Sequence, residues 1–148
     1  MAEIEKTFIL IKPDGVERRL VGEIISRIEK KDLRICALKM VKITPQLAAR
    51  HYAEHIGKPF YNDLLLFITS GHVIALVVEG EGAVEIVRNM IGPTDGGQAP
   101  SGTIRGDYSH SKKFNMVHGA DSLESAKKEM ANFFTPEEIY PEEPVNWS

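Results

Sequence analysis

Helix-spaced and strand-like apolar segments alternate along this chain, and the alternation predicts an α/β or α+β fold in a single domain over residues 1–148. Runs rich in apolar and β-branched residues at 7–11, 34–43, 73–78 and 116–118 read as four strands. Between them, apolar residues recur at three- and four-residue spacing, the period of a one-sided helix. Four strands fit a βαββαβ sandwich and a small doubly wound sheet alike, and pattern does not choose between the two.

The first strand stops at Lys12-Pro13-Asp14-Gly15, read as a turn with proline-fixed geometry. Val21, Ile24, Ile25 and Ile28 give the first helix, and residues 34–43 the second strand. Thr44-Pro45 supplies an N-cap hydroxyl and a proline at the first helical position. The helix it opens is expected to run through His51, Tyr52 and His55 to the break at Gly57-Lys58-Pro59. Phe60, Leu64, Phe67 and Ile68 form the stripe of another helix, ended by Ser70-Gly71. The unbroken apolar run at 73–78 predicts a strand buried on both faces. Ala83, Ile86, Val87, Met90 and Ile91 mark a helix closed by Gly92-Pro93. Residues 94–114 carry Gly96, Gly97, Gly102 and Gly106 and hold no sustained periodicity, so they read as one long loop. Residues 116–118 make a short last strand, and Asp121 or Ser122 caps a helix with the stripe Leu123, Ala126, Met130 and Phe133. From Thr135 onward Pro136, Pro141 and Pro144 disfavour regular structure.

Composition narrows the function classes. An apolar content of 43% is ordinary for a globular chain, and a net charge of −3 with interspersed basic residues argues against a dedicated nucleic-acid or membrane-surface binder. No apolar stretch approaches membrane-spanning length. The single cysteine, Cys36, sits in the apolar run Ile35-Cys36-Ala37-Leu38, reads as a buried inert thiol and permits no intrachain disulfide. Glu3 and Glu5 stand where a signal peptide would need a basic start. A reducing, cytoplasmic setting is the resulting expectation.

Chemistry concentrates at the junctions. His118 ends a short apolar run just before a helix start, where an imidazole can be held on one side and exposed on the other. A packed histidine at a strand end fits the same local pattern. Phosphoryl transfer needs cations and oriented donors around several anionic oxygens, and a group to accept the phosphoryl. Lys12 follows the first strand directly, Arg88 lies off the apolar stripe of its helix, and Thr94 and Arg105 bracket the glycine-rich loop. Each alone reads more readily as a solvated charge at an element end, and their joint appearance at loop mouths is what favours a functional reading. Glu129 falls one turn beyond Ser125, where a carboxylate can reach back to orient His118, although Lys127-Lys128-Glu129 also reads as a solvated helix face.

Two competing motifs are weaker. Gly97-Gln98-Ala99-Pro100-Ser101-Gly102-Thr103 has the glycine spacing of a phosphate-binding P-loop but places threonine where the lysine must stand. His51-Tyr52-Ala53-Glu54-His55 fits H-x-x-E-H, an inverted zinc-hydrolase motif, yet a third ligand and a large cleft would be needed. The bland alternative packs His51 beside Leu47 and Tyr52 and leaves His55 facing a cleft or solvent.

Taken together, the chain resembles the nucleoside diphosphate kinases. The resemblance rests on T-F-I-L-I-K-P-D-G-V at 7–16, L-V-G-E-I-I at 20–25, H-Y at 51–52, G-T-I-R-G-D at 102–107, N-M-V-H-G-A-D-S at 115–122 and Trp147. It covers essentially the whole chain. It implies a ferredoxin-like βαββαβ sandwich, an α+β fold with a four-stranded antiparallel sheet and added helices. It also implies ping-pong transfer of the γ-phosphoryl of a nucleoside triphosphate such as ATP to a nucleoside diphosphate, through a phosphohistidine and with broad base specificity.

Carried onto this sequence, the resemblance makes His118 the nucleophile and has Glu129 hold its ring. Lys12, Tyr52, Arg88, Thr94 and Arg105 would surround the phosphates, with Lys12 and Asn115 also reaching the ribose. Phe60 would stack on the base with Leu64 beneath it, and His55 matches a position that touches phosphates in some members. Magnesium would bridge nucleotide phosphate oxygens with few or no protein ligands. A homo-oligomer is implied, a hexamer before a tetramer. The sequence departs from the family pattern at Ala120, commonly serine, and at Lys112, often apolar on the far face of the base. The loop Pro93-Thr94-Asp95-Gly96-Gly97 also lacks the proline that many relatives carry after asparagine.

Overall fold

Two long antiparallel strands form the centre of the molecule: β1 (Ile4–Ile11) pairs along its length with β3 (His72–Glu81), with Phe8 opposite Val77 and Leu10 opposite Ala75. The second strand, β2 (Arg34–Lys42), joins the far side of β3, and the three-residue β4 (Val117–Gly119) joins the far side of β1. The order β2-β3-β1-β4, antiparallel throughout, is the ferredoxin-like arrangement of a βαββαβ chain and rules out the doubly wound sheet. These features come from a computed structural model, which describes residues 3–147.

Helices cover both faces of the sheet, which is why β1 and β3 read as continuous apolar runs. On one face, Ile9, Ile11, Leu76 and Val78 meet Ile24 and Ile28 of α2 (Val21–Lys30) and Val87 and Ile91 of α5 (Ala83–Ile91). The other face carries Phe8, Leu10, Ala75 and Val77. Against it pack Ala48 of α3 (Pro45–His51), Ile68 of α4 (Tyr61–Ile68), and Ala126 and Phe133 of α7 (Leu123–Phe133). The caps follow local chemistry: Thr44 accepts from the Leu47 N–H, and Ser122, rather than Asp121, accepts from the Ser125 N–H.

Four segments depart from the sequence reading. Lys12–Gly15 is not only a turn, because Pro13 sits at the first position of the short helix α1 (Pro13–Glu17), where its missing N–H costs nothing. The helix at Pro45 ends at His51, and a 3₁₀ turn takes over at Ala53–His55, so His51 and His55 do not share one α-helical face. Inside the glycine-rich stretch lies α6 (Ile104–Tyr108), nucleated by Thr103, whose hydroxyl accepts from the Gly106 N–H at 2.9 Å. In the tail, Thr135 and Glu138 close a capping box over the 3₁₀ turn Pro136–Glu138. Beyond it Tyr140, Val145 and Trp147 are exposed.

Close approach of α6 to the loop beside it depends on Gly106, where an added Cβ would overlap the Pro100 carbonyl. Gly106→Ala is expected to lower stability by about 1–3 kcal/mol, the usual cost of overpacking a tight site. Thermal unfolding by circular dichroism measures it, and an unchanged midpoint would show that the loop yields freely.

Candidate active site

A tight backbone turn sets the site. Val117 N–H donates to the Asn115 carbonyl at 2.7 Å, and Met116 between them has a φ of 66°, a strained γ-turn conformation for a residue with a Cβ. Its neighbours hold it there. Met116 N–H donates to Asp14 Oδ2 at 3.0 Å, Lys12 N–H donates to the Met116 carbonyl at 2.8 Å, and the Met116 side chain is fully buried. Gly15 permits this approach, since a Cβ there would lie 3.0 Å from the Met116 carbonyl oxygen. The turn therefore ties the end of β1 to the start of β4, with Lys12 and Asn115 on one side of it and His118 on the other.

Around this turn lies a polar cavity of about 160 Å³ lined by Lys12, Arg88, Ile91, Gly92, Thr94, Arg105, Asn115, His118 and Gly119. Lys12 Nζ donates to Asn115 Oδ1 at 2.8 Å, and Asn115 Nδ2 donates to the Thr94 carbonyl at 3.0 Å, so one amide orients an ammonium and pins the loop. Arg105 is nearly buried, and its guanidinium donates to the carbonyls of Gly92 at 2.9 Å and Val117 at 2.6 Å. The lining holds three basic side chains and no carboxylate. Burial first, and the Arg105 charge second, bring Lys12 down to about 8, partly offset by Asp14. Burial and Arg88 bring Arg105 down to about 10. Cations crowded together, two of them desolvated, with no carboxylate in the cavity lining make a receptor for a polyanion.

His118 faces this cavity from β4, and its Nε2 lies 2.6 Å from Glu129 Oε1 on α7. The pairing leaves Nδ1 as the ring nitrogen not engaged by the carboxylate. Ala120 is fully buried and its N–H donates to the Phe8 carbonyl at 3.1 Å, so the His118–Glu129 pair forms without a hydroxyl at position 120.

A second, more apolar cavity of about 460 Å³ adjoins the first through the shared residues Lys12, Thr94 and Asn115. Tyr52, Phe60, Leu64 and Phe67 form its apolar side, and Asp63, Lys112 and Lys113 its polar one. Phe60 is 46% exposed, so a flat ring face stands open at the mouth. Tyr52 is the opposite case, pushed up to about 12 by burial and by Glu129 nearby. His55 lines neither cavity; its ring centroid lies 5.5 Å from that of Phe60, and its Nδ1 is 3.0 Å from Lys58 Nζ.

Of the residues singled out in the sequence, Lys12, Arg88, Thr94, Arg105, Asn115 and His118 converge on the small cavity, and Tyr52, Phe60 and Leu64 on the large one. Sequence reasoning missed Asp14, which fixes the turn, and Gly92, whose carbonyl holds Arg105. The turn residues Pro13-Asp14-Gly15 and the Gly92-Pro93 helix stop were the available signals. Among the described residues no group of three or more histidine, cysteine, aspartate or glutamate side chains could hold a metal ion, which leaves H-x-x-E-H without a third ligand.

Comparison with known proteins fits this geometry to a family. The family model for nucleoside diphosphate kinase matches residues 5–139. A nucleoside diphosphate kinase of Ignicoccus hospitalis is 57% identical over 136 residues, which cover 92% of each chain. Among solved structures, the nucleoside diphosphate kinase of Halobacterium salinarum in complex with CDP superposes with a TM-score of 0.90 at 43% identity, covering 99% of this chain and 94% of that one. A transition state mimic of the Borrelia burgdorferi enzyme with bound vanadate and ADP superposes with a TM-score of 0.90 at 33% identity, covering 95% and 93%. A match of this extent, on a chain whose conserved-fold sheet carries a cationic cavity and a carboxylate-held histidine, assigns it: the chain belongs to the nucleoside diphosphate kinase family of phosphotransferases.

Proposed function

We propose that the protein moves the γ-phosphoryl group of a nucleoside triphosphate such as ATP to a nucleoside diphosphate in two half-reactions, with His118 Nδ1 carrying the group between them. The observation that carries this reading is the His118–Glu129 pair at 2.6 Å on the wall of a cavity lined by cations. With Nε2–H donated to Glu129, the Nδ1 lone pair attacks the γ-phosphorus in line, the bond to the bridging β-oxygen breaks, and the diphosphate leaves. The carboxylate then faces the positive charge that the attack places on the ring. A terminal oxygen of the second diphosphate reverses these events, and being anionic already it needs no base.

Lys12, Arg88, Arg105 and Thr94 neutralise and orient the phosphates in this scheme, with Tyr52 at the phosphate end of the large cavity and His55 at its rim. Lys12 and Asn115 reach the ribose. Phe60 stacks on the base above Leu64, and stacking favours broad base specificity because every base has a π-face. Lys112 beside the base adds a charge where an apolar wall is common. The CDP and the ADP–vanadate bound by the two relatives support a nucleotide in this cleft. Magnesium fits as a passenger of the nucleotide, because the cavity lining offers cations and amides but no carboxylate. When bound, it shields the charge on the phosphate oxygens.

A single domain, a cytoplasmic setting and a homo-oligomer, a hexamer before a tetramer, belong to the same proposal. The buried free thiol of Cys36 supports the setting. The outer edge of β2 takes a backbone hydrogen bond from the tail, Tyr140 N–H to the Cys36 carbonyl at 2.9 Å, but no further strand among the described residues, and Leu38 and Met40 stay exposed on β2, which supports assembly. Nucleoside di- and triphosphates are the partners, with no membrane and no dedicated nucleic-acid partner.

Three outcomes are expected. Brief exposure to γ-labelled ATP without acceptor should leave an acid-labile, base-stable label that chases onto added nucleoside diphosphate. His118→Ala should abolish it; a label that persists in that variant overturns the assignment. The kcat/KM of the wild type should fall as pH rises through about 8, because Lys12 loses its charge there in the free enzyme. A Lys12→Arg profile lacking that limb would confirm the source, and a limb unchanged in Lys12→Arg would refute it. Finally, light scattering should give a mass several times that of one chain, and a monomer at working concentration would exclude the assembly.

A further inference from the structure

His51 belongs to the H-x-x-E-H motif that no metal explains, and the scheme above gives it no work. Its position is unusual for an idle residue. The His51 ring stands edge-to-face on the His118 ring, with centroids 5.3 Å apart and an interplanar angle of 89°. Phe133 packs edge-to-face on His51 at 5.5 Å, and Phe8 lies tilted at 6.4 Å from His51 and 6.3 Å from His118. His51 Nδ1 is buried and has no hydrogen-bond partner among the described residues. The position therefore uses the ring and not a hydrogen bond from that atom.

We infer that His51 is a positioning residue for phosphoryl transfer, an uncharged planar wall that confines the His118 imidazole to the orientation in which Nε2 meets Glu129 and Nδ1 faces the phosphates. The inference rests on the proposed role of His118 and deepens it. Glu129 grips the ring at one atom, and one hydrogen bond leaves rotation about its own axis free. A second ring packed at a right angle removes that freedom, and near-attack geometry is sensitive to displacements of this size. The wall must also stay neutral. Attack by Nδ1 makes the His118 ring cationic, and a second imidazolium 5.3 Å away would oppose it. Burial, with His118, Lys12 and His55 nearby, brings His51 down to about 3, far below any working pH.

The test compares His51→Ala, His51→Leu and His51→Phe in the full chain. Steady-state kinetics would be read beside the ¹⁵N tautomer signals of His118 and the lifetime of the phosphoenzyme. His51→Ala is expected to lower kcat about tenfold with KM little changed, as for an interaction that acts in the transition state. The Nδ1–H tautomer of His118 should appear, and the isolated phosphoenzyme should hydrolyse several-fold faster. His51→Phe should restore all three readouts toward wild type. His51→Leu, which fills the space without a plane, should resemble alanine, and it carries the comparison should the alanine variant not fold. Unchanged kcat and a single His118 tautomer in either truncation would overturn the inference, as would a phenylalanine variant no better than leucine. Wild-type protein that takes no label from γ-labelled ATP would instead overturn the proposed role of His118.

Discussion

The clamp on Met116 is the constraint on which the site depends. One carboxylate oxygen of Asp14 and one backbone N–H of Lys12 reach across more than a hundred positions of sequence and hold a left-handed residue in place. A non-glycine residue in that conformation costs on the order of 1–3 kcal/mol, which is tolerable only where the surroundings over-determine it. Here they do. The reward is geometric: the turn sends Asn115 toward the ammonium of Lys12 and starts β4 so that His118 faces the cavity while Val117 and Gly119 stay buried. Relaxing Met116 to an ordinary φ would redirect the chain on both sides at once.

Electrostatics supplies the second organising theme. The molecule as a whole is slightly acidic, yet its small cavity gathers three basic groups, and two of them, Lys12 and Arg105, are desolvated and held by an amide and by carbonyls rather than by carboxylates. Carbonyl oxygens orient a guanidinium without cancelling its charge. The field is thus preserved for a ligand, at a cost visible in the lowered proton affinities of Lys12 and Arg105. Two arginines elsewhere are answered by carboxylates. Arg27 meets Glu23 and Asp107, and Arg34 meets Glu79 at 2.7 Å.

Much of this was legible in residue order. Long one-sided helices such as α2 and α5, and the doubly buried β3, announce themselves because their period extends over several turns or many alternations. Short elements escape. The five residues of α6 are too few for a period, and their only signal is Thr103 as a cap. His51 and His55 looked co-facial because spacing alone cannot reveal where an α-helix gives way to a 3₁₀ turn. Glu129 could be placed one helical turn beyond Ser125, but its meeting with His118 depends on how α7 packs across β1, which is tertiary information. The role of Asp14 lay out of reach for the same reason.

The sheet order has a further consequence for how the protein comes into being. Because β4 is an edge strand that pairs with β1, one edge of β1 must wait, uncovered, for a strand more than a hundred positions further along the chain. Lys12 is in place from the start, but the groups it works beside come later in the chain: Arg88, the loop with Arg105 and Asn115, then His118, then Glu129 on α7. A chain can bury β1 against β3 and still be without the complete cavity. The cavity is complete only once α7 has followed β4 and brought Glu129 to His118.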